Sequence, residues 1–135
     1  MKQIIEHLAQ RVAKYPNLRF EKGETSITVF PESENGFEVS FHVGQPGLPE
    51  PYTVYFNGWH ESFADETEAL ECFVMGLTCE CRLKETTRGD HAFSWTLEYL
   101  NDGVWEAYSS TTLILEPFWR KKNERYLQNK LRLRA

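Results

Sequence analysis

Phe93-Ser94-Trp95-Thr96-Leu97-Glu98-Tyr99-Leu100-Asn101-Asp102-Gly103-Val104 decides the fold class. Phe93, Trp95, Leu97 and Tyr99 alternate with Ser94, Thr96 and Glu98, which is the period of a strand with one buried and one wet face. Asn101-Asp102-Gly103 supplies turn chemistry and predicts a hairpin into a further strand over residues 104–114. Upstream, Cys79-Glu80-Cys81-Arg82-Leu83-Lys84 alternates in the same way, so residues 79–88 read as the preceding strand, with both thiols turned to the core.

The first half carries the same signals. Phe37-Glu38-Val39-Ser40-Phe41-His42-Val43 and Tyr52-Thr53-Val54-Tyr55-Phe56 alternate cleanly, and a Pro- and Gly-rich loop separates them. Residues 18–21 and 26–30 are shorter β-prone runs joined by Lys22-Gly23-Glu24, a hairpin signature. Ile4, Ile5, Leu8 and Val12 recur at helical spacing over residues 3–14. A second helix follows Asp65 or Ser62 as cap, with Glu68 in capping-box spacing to Asp65. Its apolar stripe is Leu70, Phe73, Val74 and Leu77, widened by Ala69, Cys72, Met75 and Gly76. Pro117 suits a first helical turn, and Trp119, Tyr126, Leu127 and Leu131 fall on one side at helical spacing, predicting a terminal helix over residues 117–131.

The expectation is an α+β chain in one domain over residues 1–135. It is a twisted antiparallel sheet of about six or seven strands in two meanders, with two or three helices on one face, in the order α-ββββ-α-βββ-α. Two successive helix-plus-meander units are consistent with a duplication, or with the few ways a two-layer domain can be wired.

With 135 residues and 41% apolar content the chain can bury its own core, which excludes a disordered class. No run of 18 apolar residues provides a membrane span, and the charged N-terminal stretch lacks the continuous apolar segment of a signal peptide. Three cysteines within ten residues make a poor disulfide framework, so a reducing cytoplasm is expected. Net charge is −5 and unevenly spread: residues 1–115 hold 8 Lys and Arg against 18 Asp and Glu, and residues 116–135 hold 7 against 2. An acidic body disfavours nucleic acid, whose phosphates need clustered cations.

The cysteine spacing lacks the second ligand pair of a structural zinc site, so no metal is expected, and no pattern calls for a cofactor. No serine sits in a nucleophile elbow and no glycine cluster forms a phosphate loop, so no catalytic residue is assigned. Trp59, His60 and Glu61 are the candidate ligand-binding residues. They lie on a segment read as joining a strand end to a helix start, where amides favour anions and a histidine titrates near neutrality. Ser109-Ser110-Thr111-Thr112 could line a pocket, with only Ser109 and Thr111 on one side of a strand. Arg120, Lys121 and Arg125, presented outward, are the candidate partner-binding residues.

The thin chemical inventory favours a non-catalytic cytoplasmic binding or adaptor protein acting through a surface, with a protein partner or a second copy of itself. The alternative is a small-molecule binder or enzyme with a pocket beside Trp59 and His60. In its acidic body, small size and alternation of helices with antiparallel strands the chain resembles bacterial secretion chaperones. That resemblance implies a dimeric chaperone, although seven strands exceed what the family usually shows.

Overall fold

The computed structural model describes residues 2–113 and 121–131. Its elements run α1 (Lys2–Val12), β1 (Arg19–Lys22), β2 (Ser26–Phe30), β3 (Val39–Val43), β4 (Tyr52–Phe56), β5 (Trp59–Phe63), α2 (Glu66–Leu77), β6 (Cys81–Arg88), β7 (His91–Asn101), β8 (Val104–Thr112) and β9 (Lys122–Leu127). The fold is α+β and every sheet pairing is antiparallel, as the alternating and helical periodicities predict.

The strands form two sheets rather than one, a five-stranded meander β1-β2-β3-β4-β5 and a four-stranded sheet ordered β8-β7-β6-β9. The division falls at β5. This strand hydrogen-bonds to β4 on one side and meets the second sheet through side chains: the Trp59 indole N–H donates to Ser109 Oγ at 2.9 Å. The Ser and Thr residues of β8 are thereby sorted by the pleat. Ser109 and Thr111 turn to β5, while Ser110 and Thr112 bond across to Thr96 and Ser94 on the opposite face.

Both helices cover the inner face of the first sheet. α1 buries Ile4, Ile5, Leu8, Ala9 and Val12, and Glu6 pairs with Lys22 of β1. α2 starts where Asp65 accepts from the Glu68 amide at 3.1 Å, and it packs on β3, β4 and β5. Its buried face is Ala69, Cys72, Phe73, Gly76 and Leu77, with Leu70 and Val74 only partly covered. The face turns from the expected stripe because Gly76 lets the helix lie against Phe56, whose ring a Cβ at that position would overlap. Cys81, Leu83, Trp95, Leu97 and Leu127 of the second sheet complete the same core.

The terminal helix is the main correction. Residues 122–127 form strand β9 on the free edge of β6, with Leu127 opposite Leu83 and Arg125 opposite Glu85. The remainder of the expected helix, with Trp119 and Arg120, includes residues 117–120, which lie outside the described residues. As a strand the segment sends Leu127 into the core and leaves Tyr126 half exposed on the other face, as a two-residue period requires. Tyr126 and Trp105 instead sandwich the Arg82 guanidinium at 4.1 and 4.4 Å, a pair of cation–π contacts.

After β9 the chain stitches the layers together. The Asn129 side chain accepts from the Phe37 amide at 3.0 Å and donates to the carbonyls of Phe37 and Gly76 at 3.1 and 2.9 Å. The Gln128 amide donates to the Asn35 carbonyl and its side chain to the Cys79 carbonyl.

Cys81 is fully buried and donates to the Met75 carbonyl, Cys72 is buried, and Cys79 is half-buried in a turn before β6, not on the inward strand face expected for it. Burial is the main cause that pushes the Cys72 and Cys81 thiols up to about 12. In native protein, Cys79 is therefore expected to react with a thiol reagent well before the other two, and equal rates would contradict this packing. The sign for stability follows from linkage. Folded values above the ordinary thiol value of 9.0 favour the neutral form, so stability present below pH 9 is lost as pH rises toward 12. Alkaline unfolding should shift upward in a Cys72→Ala/Cys81→Ala variant.

Candidate functional site

Asn57-Gly58 makes a two-residue hairpin between β4 and β5, with Asn57 at φ 52°. Trp59, His60 and Glu61 therefore lie on a strand, not on a loop leading into a helix, and its pleat separates them. Trp59 is fully buried, stacked on Phe56 with ring centroids 4.9 Å apart. His60 points to the outer face of the first sheet, where its ring lies 5.3 Å from Tyr55, which in turn meets His42 at 4.9 Å. Only Glu61 reaches an open site.

That site is a cleft of about 550 Å³ where β5, α2 and β8 meet. Phe63, Cys72 and Met75 form its apolar floor. Glu61 from β5, Glu68 and Glu71 from α2, and Glu50 from the loop before β4 supply four carboxylates, and among the described residues no Lys, Arg or His lines it. Glu68 and Glu71 are three residues apart and share a helix face. Among the described residues, the carboxylates of Glu50, Glu68 and Glu71 meet no cation.

Tyr108 stands at the wall and donates its hydroxyl to Glu61 at 2.7 Å. This hydrogen bond, with burial second, pushes the Tyr108 phenol up to about 12. An ultraviolet titration should accordingly find one tyrosine ionising near pH 12, and Glu61→Gln should return it toward the ordinary value of 10.0. A titration unchanged by that substitution would remove Glu61 as the cause.

The partner-binding candidates are placed differently. Lys121 is exposed and its carbonyl accepts from the Gly89 amide. Arg125 is exposed but engaged: its guanidinium bonds the buried Glu85 carboxylate at 2.6 to 2.7 Å, and the Trp95 indole holds the second Glu85 oxygen at 2.9 Å. Arg120 lies outside the described residues. Among the described residues no three His, Cys, Asp or Glu side chains are placed to hold a metal ion, and no helix is long and apolar enough to cross a membrane.

Sequence reasoning reached Glu61 but missed Tyr108, Glu50, Glu68 and Glu71. Glu68 carried a signal, but of a helix cap; the cleft exists only because α2 crosses β5 and β8 stands beside them. No protein-family model matches the chain, and no curated protein or solved structure matches it. Its chemistry is read from its own side chains.

Proposed function

We propose that this protein is a non-catalytic binding protein that accepts a cationic, partly apolar group in the cleft between β5, α2 and β8. The observation that carries the reading is four carboxylates and, among the described residues, no cation around an apolar floor. A Lys or Arg side chain, or an organic ammonium, matches such a surface, with its stem on Phe63 and Met75 and its charge among the carboxylates. The cysteine that lines the cleft argues against thiol catalysis there. Burial holds the Cys72 thiol neutral at physiological pH, whereas thiol chemistry needs the thiolate. A pocket beside Trp59 and His60 finds no support, because one is fully buried and the other faces away. Free thiols suit a reducing compartment, and we place the protein in the cytoplasm on that ground.

Calorimetric titration with phenethylammonium tests the reading. Saturable binding is expected that weakens with salt and is lost in a Glu61→Gln/Glu68→Gln/Glu71→Gln variant. Absence of binding at millimolar probe, or binding indifferent to the three substitutions, would overturn it.

A further inference from the structure

Resting on that reading, we infer that the natural occupant of the cleft is an extended basic segment of a partner protein, added along the free edge of β5 at Ser62 with Lys or Arg at every second position. The antiparallel ladder fixes which β5 residues show their backbone outward. His60 sends its amide away from β4, to Thr111 Oγ1 at 3.2 Å, so Ser62, two residues on, turns its N–H and C=O the same way. Ser62 lines the cleft, and among the described residues its backbone makes no bond on that side. Among the described residues the cleft thus offers two kinds of recognition at once, a strand edge without a ladder partner and a set of carboxylates that no cation meets.

A strand added there would place alternate side chains, roughly 6.6–6.8 Å apart, on the inward face beside Glu61, Glu68 and Glu71. The carboxylates come from a loop, a strand and a helix, so they suit several cations in series better than one. The cleft is open to solvent, whereas binding sites for small molecules usually enclose them. Two of the three other outer edges, β1 and β9, contrast with this one. β1 carries Arg19, Glu21 and Lys22 and β9 carries Lys122, Glu124 and Arg125, mixed charges that discourage any added strand. Among the described residues the charges at the cleft end of β5 are all carboxylates, which repel strands other than basic ones.

The test is fluorescence anisotropy on the whole protein with a short labelled peptide alternating Lys and Val. Its controls are a peptide of the same composition with its lysines in one block, and the alternating peptide N-methylated at its edge-pairing amides. The alternating peptide should bind at least about tenfold tighter than either control. Ser62→Pro, which removes an edge amide that no ladder bond uses, should weaken the alternating peptide by a similar factor. Equal binding of the three peptides would reduce the effect to unspecific charge attraction and overturn the proposal. Phenethylammonium binding without tighter peptide binding would overturn it too while leaving the cleft a small-cation site, and failure of both probes would remove the functional reading as well. Light scattering that shows self-association abolished by the Glu→Gln substitutions would assign the cleft to a second copy instead.

Discussion

Replacing Phe73 by alanine is expected to lower the stability of the fold by about 3–5 kcal/mol. Phe73 is 1% exposed on the buried face of α2, and its ring meets Phe41 of β3 edge-on, with centroids 5.9 Å apart and planes at 86°. Truncation removes the aromatic contact and leaves a hole beneath a helix pinned by the Asp65 cap at one end and by Asn129 on the Gly76 carbonyl near the other. A helix held at both ends cannot collapse into the space, which places the cost toward the upper part of that range. Urea denaturation should show a lower midpoint with an unchanged slope. A midpoint equal to that of the wild type would mean that α2 does not carry the core of the first sheet.

Asn129→Ala is expected to cost about 2–4 kcal/mol, since three hydrogen bonds at roughly 1 kcal/mol each are lost and partly buried backbone groups lose their partner. One side chain here satisfies the Phe37 amide, the Phe37 carbonyl and the Gly76 carbonyl. Asn129→Asp separates hydrogen bonding from simple shape. A carboxylate still accepts from the Phe37 amide but turns charge toward two carbonyls, so this variant should be at least as destabilised as the alanine and should recover partly at acidic pH. An aspartate variant as stable as the wild type would show that the two donated bonds contribute nothing.

Several elements were legible because their signals were local. The Phe93–Tyr99 alternation with Asp102-Gly103 became the β7–β8 hairpin, with both turn residues at positive φ. Asp65 capped α2 as its spacing to Glu68 required. The failures came where two local readings competed and tertiary pairing chose. Asn57-Gly58 can end a strand or reverse it; the dipeptide standing between Phe56 and Trp59 was itself the signal for the hairpin. Residues 122–127 carry helical spacing, but β6 offered an unpaired edge with Lys84 and Glu85 set against Glu124 and Arg125. The cleft was the least legible feature. Its carboxylates are spread over residues 50–71 and gain meaning only when Tyr108 arrives from a distant hairpin.

The bond between the Phe37 amide and Asn129 spans 92 residues. On a ribosome, the first sheet and its two helices can be complete in outline once residue 77 has emerged, yet the seam beside Gly36 and Phe37 waits for a side chain more than fifty residues further on. Closing so long a loop is an entropic cost that only late contacts repay. During that interval the Phe37 amide and the Gly76 carbonyl lack the side chain that bonds them, and a nascent chain stalled before residue 129 should be open to a protease along that seam when the released protein is not.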